Sequence, residues 1–253
     1  MSHLLSDRVA VVTGGASGIG RAIALTFAEH GADVVVADVR EQPREGGAPT
    51  VERVRAETDA RAAFVECDVS DRGDVAAAAD RAAEFGPLTT MVNNAGLLVR
   101  EPLHETDEAT LDAMIDTNLK GTFFGAQVAA ERIEAGSIVN LSSIAGLVGT
   151  AGMAGYCATK GAVRLLTYAL ADELAPSIRV NALHPGATDT MQAREDSGMV
   201  GSPAADALRE RIPMGRFGRP PDVANAATFL ASDLAGYVTG ASLVVDGGRY
   251  TTA

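Results

Sequence analysis

Residues 8–38 read RVAVVTGGASGIGRAIALTFAEHGADVVVAD. Arg8–Thr13 and Ala32–Ala37 are short Val-rich runs bounded by Gly or Asp, the pattern of buried strands. Between them, Gly20–His30 places Ile23, Leu25, Phe27 and Ala28 at helical spacing, and Gly31 follows as a helix stop. The result is one strand–helix–strand unit. The alternation continues outward. Ala62–Cys67, Thr89–Asn93, Gly136–Ser142, Ile178–Leu183 and Ser242–Val245 read as strands. Val75–Glu84, Thr106–Arg132, Met153–Leu174 and Pro221–Leu230 read as helices. Repeated β-α alternation with Val-rich strands predicts an α/β fold, a doubly wound parallel sheet covered by helices on both faces.

The chain has 253 residues with no linker, composition break or internal repeat, so one domain spanning residues 1–253 is expected. Two polar, Gly- and Pro-containing stretches stand out as loops. Arg40–Pro49 follows the second strand. Ala187–Met214, with Gly198, Gly201, Pro203 and Pro213, is long enough to expect a lid. Net charge is −12, which disfavours nucleic acid and anionic membrane surfaces as partners. The N-terminal residues show no basic region followed by an apolar run, and no stretch is apolar enough for a membrane span. Cys67 and Cys157 are too few for a disulfide framework, so a reducing, cytoplasmic setting is expected. Basic residues are almost all Arg, with Lys120 and Lys160 the two exceptions. A GC-rich genome accounts for this, with salt adaptation as the alternative.

Thr13-Gly14-Gly15-Ala16-Ser17-Gly18-Ile19-Gly20 joins the first strand to the first helix. Glycines permit close backbone approach, and the helix N-terminus behind them offers free N–H groups to a pyrophosphate. The absence of a following Gly-Lys-Ser/Thr rules out a Walker-type loop. Asp38 ends the second strand, 18 residues after Gly20. An acid there accepts hydrogen bonds from ribose hydroxyls and repels a 2′-phosphate, which favours NAD over NADP. Arg40 and Arg44 lie close behind and soften that preference.

Tyr156 and Lys160 are four residues apart at the start of a predicted helix, so they share one face. An ammonium beside a phenol favours the phenolate and suits the Tyr to acid/base work. Ser142 and Ser143 end the strand before it, Ser143 standing 13 residues ahead of Tyr156.

With these motifs in hand, the chain closely resembles the classical short-chain dehydrogenases/reductases from Val9 to Gly248. The matching elements are Thr13-Gly14-X-X-X-Gly18-X-Gly20, Asp68-Val69, Asn93-Asn94-Ala95-Gly96, Asn118, Ser143, Tyr156-X-X-X-Lys160, Pro185-Gly186 and the tail Val244–Gly248. The resemblance implies a Rossmann-like domain with seven parallel strands. It implies that Tyr156 exchanges a proton with the substrate oxygen, that Lys160 lowers the Tyr pKa and holds the nicotinamide ribose, and that Ser143 steadies the carbonyl oxygen. Asn118 is implied as a fourth catalytic member, anchoring a water in a proton relay. Gly14, Ser17, Gly18, Ile19 and Gly20 are implied at the pyrophosphate side, Asp38 at the ribose, and Asp68 and Val69 at the adenine. Asn94, Ala95 and Gly96 would line the cofactor, with Pro185, Gly186 and Thr188 at its nicotinamide end.

The expected activity is hydride transfer between NAD(H) and a secondary alcohol or ketone. Met191, Met199 and Val200 in the 187–214 segment point to a small or medium, mostly apolar substrate. An NADPH-dependent acyl-carrier-protein ketoreductase is the nearest alternative, and a non-catalytic NAD-binding regulator the other. Cys157 and His184 read as packing residues, and no metal-ligand spacing occurs. Ala109, Ala113, Gly121, Gly125, Ala126 and Ala129, with Ala154, Ala158, Gly161, Ala162 and Ala169, permit close helix approach between copies. With the resemblance this implies a homotetramer of two-fold symmetries.

Overall fold

The computed structural model describes residues 3–201 and 205–251, so Pro203 of the expected lid lies outside the described residues. Seven strands run in chain order as β1 Val9–Thr13, β2 Asp33–Asp38, β3 Ala62–Glu66, β4 Thr90–Asn93, β5 Gly136–Leu141, β6 Ile178–Pro185 and β7 Ser242–Val245. They form one parallel sheet in the order β3-β2-β1-β4-β5-β6-β7. The strand order reverses between β1 and β4. Ligands of doubly wound sheets bind outside the carboxyl ends of the strands at such a point.

The helices are α1 Gly18–Glu29, α2 Thr50–Glu57, α3 Arg72–Ala83, α4 Glu108–Met114, α5 Gly121–Arg132, α6 Ala154–Glu173, α7 Ala205–Glu210 and α8 Pro220–Ala231. Successive side chains of a strand point to opposite faces, and the core divides accordingly. Ala10 and Val12 of β1 and Val34 and Val36 of β2 pack with Ile23 and Phe27 of α1, Val54 of α2 and Leu230 of α8. Val9 and Val11 of β1 and Val35 of β2 pack with Val75 and Ala82 of α3, Val128 of α5 and Ala171 of α6. The doubly wound α/β expectation holds.

The structure adds to or refines several expectations. Thr50–Glu57 is a helix to which the sequence reading assigned no element, and only Thr50, Val51 and Val54 of it are buried. The expected helix Thr106–Arg132 runs without interruption from Glu108 to Arg132, with a π-helical stretch Ile115–Lys120 between α4 and α5. The segment 187–214 is not wholly irregular, since it carries a π-turn at Gln192–Asp196 and α7. Of the small residues named above, Gly121, Gly125, Ala126 and Ala129 of α5 pack within this chain, while Ala109 and Ala113 of α4 and Ala154, Ala158 and Ala169 of α6 are exposed. A Cβ on Gly121 would stand 2.6 Å from Val69 Cγ2, and one on Gly125 would stand 1.9 Å from Asn93 Oδ1. Gly121, Gly125, Ala126 and Ala129 are all buried, whereas Phe123 of α5 and Leu165 of α6 are exposed. Among the described residues no helix is long and apolar enough to cross a membrane.

Candidate active site

The glycine loop is built by backbone need. Gly14 has φ +62° and Gly18 φ +56°, left-handed conformations that disfavour a side chain. Gly20 packs so closely that a Cβ there would lie 2.1 Å from the Gly14 carbonyl oxygen. Thr13 Oγ1 accepts from the amides of Asn94 and Ala95 at 3.0 and 3.1 Å. Asn94 Nδ2 donates to the carbonyls of Thr13 and Gly14 at 2.8 and 3.2 Å. The β1 and β4 ends are thus stitched together where the sheet order reverses.

Residues from both halves of the sheet line a single cleft of about 510 Å³, a volume typical of small-molecule sites. It brings together Gly14, Ser17, Gly18, Ile19, Asp38, Asp68, Val69, Asn94, Ala95 and Gly96 on one side. Ser143, Tyr156, Lys160, Pro185, Gly186 and Thr188 line it on the other. Gly20 and Asn118 stand behind the wall rather than on it. Met191 and Met199 reach the cleft, while Val200 is buried away from its lining.

Asp38 Oδ2 accepts from the Ala16 amide at 3.0 Å and Oδ1 from the Arg40 amide at 3.3 Å. Burial raises its pKa above the ordinary value against these stabilising bonds. The Gly18 amide donates to Glu45 Oε1 at 3.0 Å, so the N-terminus of α1 already holds an anionic group. The Arg44 amide donates to Ser17 Oγ at 2.8 Å. The loop 40–49 therefore folds over the glycine loop, where Arg21 holds it through the Ala48 carbonyl at 2.7 Å. An anion-accepting helix end, a carboxylate at the strand end and an adjoining cleft fit the diphosphate and ribose of a nicotinamide dinucleotide.

The reactive side chains meet at the ends of β5 and the start of α6. Lys160 is buried, and its Nζ donates to the Leu141 carbonyl at 2.8 Å. The ammonium lies 5.8 Å from the Tyr156 ring centroid. Burial pushes Lys160 down to about 8 and Tyr156 up to about 12. Hydrogen bonding with Ser143 opposes the rise at Tyr156. The expected depression of the Tyr pKa is therefore absent from this arrangement. The ammonium is turned to a carbonyl, and withdrawal from water dominates.

Asn118 is fully buried inside the π-turn. Its Oδ1 accepts from the Leu97 amide at 2.7 Å, and its Nδ2 donates to the Leu97 carbonyl at 2.9 Å and to Thr159 Oγ1 at 3.0 Å. The carboxamide thus ties the strand β4 exit to α6. His184 is buried, with Nδ1 3.0 Å from the Ser143 carbonyl and Nε2 2.9 Å from Ser242 Oγ, in keeping with a packing residue. Thr188 Oγ1 bonds its own turn at the Gly186 carbonyl, 3.2 Å away.

Sequence reasoning assigned no role to Gln192 or Arg249 and placed Arg44 only as a modifier of cofactor preference. Gln192 Nε2 donates to the Gly96 carbonyl at 2.8 Å, joining the 187–214 segment to the loop after β4. Arg44 grips Asp196 at 2.7 Å and Glu195 at 3.0 Å across the cleft mouth. Arg249 lines the cleft from the turn after β7. No local pattern marks these residues, because their partners lie far away in the chain.

A family profile described as "Enoyl-(Acyl carrier protein) reductase" matches residues 14–250. The chain is 45% identical to cis-4-hydroxycyclohexanecarboxylate dehydrogenase of Sinomonas cyclohexanicum, over 98% of both chains. It is 41% identical to L-2,3-butanediol dehydrogenase of Corynebacterium glutamicum, over 96% of this chain and 98% of the relative. It is 37% identical to the NADP-dependent (R)-specific alcohol dehydrogenase of Lentilactobacillus kefiri, over 98% of both. Sequence, sheet order and full-length similarity agree: the chain belongs to the short-chain dehydrogenase/reductase family.

Proposed function

We propose that this oxidoreductase moves hydride between NAD(H) and a cyclic or vicinally substituted secondary alcohol or its ketone. The observation that carries the reading is one cleft holding Asp38, the glycine loop, Ser143, Tyr156 and Lys160 together. NAD, when bound, supplies the hydride acceptor or donor. Tyr156 takes the hydroxyl proton during oxidation and returns it during reduction. Ser143 hydrogen-bonds the same oxygen as its charge changes. Lys160 supplies positive charge near the phenol and a donor to a ribose hydroxyl. Asn118 holds Leu97 and Thr159 in place through its carboxamide, beside the relay-water role expected of it.

Asp38 supports NAD over NADP. Arg44 does not counter it, since its guanidinium is engaged by Glu195 and Asp196. The names of the hydroxycyclohexanecarboxylate and butanediol relatives support a secondary carbinol as the reacting group. The residues 187–214 serve as the substrate lid of one 253-residue domain acting in the cytoplasm. Exposed Leu111, Phe123, Leu165 and Tyr168 on α4, α5 and α6, with Leu234 and Tyr237 after α8, support two self-association faces and a homotetramer.

Cofactor absorbance with NAD and NADP over a panel of secondary alcohols tests the activity. Turnover with NAD is expected, and no turnover with either cofactor on any alcohol or ketone would overturn the reading. Light scattering tests the assembly, where a stable, fully active 26.0 kDa monomer would refute the tetramer.

A further inference from the structure

Arg249 presents a cation to the cleft that the hydride-transfer chemistry does not use. It follows β7, at the sheet edge opposite β3. Its turn is tightly held. The Gly186 amide donates to the Val245 carbonyl at 3.0 Å, and the Met214 amide to the Gly247 carbonyl at 3.2 Å. Asp246 is the acid that acts on Arg249, yet its two oxygens are committed to the turn, accepting from the Gly248 amide at 2.8 Å and the Tyr250 amide at 2.6 Å. Among the described residues no hydrogen bond or ion pair engages the Arg249 guanidinium. Arg211 adds a second positive charge beside it, and burial lowers the Arg249 pKa.

A half-buried guanidinium without a partner is costly. It is out of character in a chain of net charge −12, where acids to pair with it are plentiful. The cleft's own carboxylates lie elsewhere. Asp38 ends β2 and Asp68 follows β3, Glu45 sits on Gly18, and Asp196 is held by Arg44. On the β6–β7 side the cleft is lined by Pro185, Gly186 and Ala187, and by Met191 and Met199 among the apolar and polar side chains of the 187–214 segment. Lys160 is bonded to the Leu141 carbonyl, which leaves Arg249, among the described residues, a lining cation with no hydrogen bond or ion pair to its guanidinium. A guanidinium fork matches a carboxylate with two parallel hydrogen bonds.

We propose that Arg249 receives a carboxylate on the substrate, so that the preferred substrate is a hydroxy or keto carboxylic acid with its anionic group remote from the reacting carbon. This rests on the alcohol dehydrogenase reading above and names the substrate class of the same site.

The test compares 4-hydroxycyclohexanecarboxylate and 3-hydroxybutyrate, each against its primary amide, with the full-length protein and NAD. At least one acid is expected to exceed its amide about thirtyfold or more in kcat/KM. Arg249→Met is expected to bring that ratio down at least tenfold, mainly through KM, and Arg249→Lys to keep part of it. Calorimetric titration of cyclohexanecarboxylate into the NAD-loaded protein gives a readout free of turnover. Binding is expected for the native chain and at least tenfold weaker binding for Arg249→Met. Amides used as well as the acids, or a ratio unmoved by Arg249→Met, would overturn the proposal while leaving the dehydrogenase reading intact. So would a parallel loss of NAD affinity, which would place Arg249 on the cofactor, or a change of assembly state with the ratio unmoved. Absence of turnover on any alcohol would instead overturn the dehydrogenase reading, and the calorimetric arm would still decide the role of Arg249.

Discussion

Replacing Asp38 by Asn separates charge from shape at the position proposed for the cofactor's ribose. The amide oxygen keeps an acceptor for the Ala16 amide, now 3.0 Å from Oδ2, while the negative charge is gone. A 2′-phosphate charge about 5 Å from the carboxylate would meet about 3 kcal/mol of repulsion at an effective dielectric near 20. Solvent and salt at a half-buried site reduce this to about 1.5 kcal/mol, or about tenfold in kcat/KM. The native chain is expected to favour NAD by at least that factor, and Asp38→Asn to raise kcat/KM with NADP by a similar one. Stability gives a second readout. Burial raises the Asp38 pKa, so the folded state holds this proton more tightly than the unfolded chain. Stability from this group is full below the unfolded value and is lost as pH rises through the folded one. Asp38→Asn removes the loss, so the cofactor-free variant should melt higher than the native chain at neutral pH. The gap should close below pH about 4, the ordinary Asp value. Steady-state kinetics with both cofactors and melting curves over pH check the two arms. An unchanged NADP-to-NAD ratio in Asp38→Asn would refute the electrostatic reasoning, and native preference for NADP would point instead to Arg40.

Three further outcomes are expected. Tyr156→Phe should lower kcat by about three orders of magnitude or more, with NAD binding largely kept, because it removes the transferable proton; retention of a tenth of native activity would mean another group does the work. Burial holds Lys160 at about 8 against an ordinary 10.5, so between those values the unfolded chain binds the extra proton and stability rises with pH; melting curves should show that rise in the native protein and its reduction in Lys160→Met. Asn118→Ala strips the three hydrogen bonds of a buried carboxamide and leaves both peptide groups of Leu97 without these partners, which should cost about 3 kcal/mol in denaturant unfolding; a change within about 0.5 kcal/mol would show that Asn118 does not carry the tie.

The free cation at Arg249 and the gripped one at Arg44 illustrate how context sets the use of a side chain. Both are arginines at the same cleft. Arg44 meets two carboxylates of the 187–214 segment, Glu195 and Asp196. The acid beside Arg249 spends its oxygens on backbone amides, so its guanidinium stays available.

The sequence alone determined the features that depend on neighbours within a few residues. The Val-rich runs, the helical spacing of Ile23 and Phe27 and the glycine cluster between them specify a strand–helix–strand unit, and its repetition specifies the parallel sheet. The four-residue step from Tyr156 to Lys160 places both on one turn of α6. Tertiary structure decided what distant segments do to one another. The π-helical stretch Ile115–Lys120 within the predicted 106–132 helix accompanies Asn118 bonding Leu97 and Thr159, 21 and 41 residues away. The inward packing of Gly125 is set by Asn93 on β4, and the ammonium of Lys160 is turned by the Leu141 carbonyl on β5. Arg249 reaches the cleft because β7 pairs with β6 and carries its following turn against Gly186. Periodicity and turn chemistry are local and leave a trace in sequence, whereas closure of the sheet brings together groups whose separation along the chain carries no pattern.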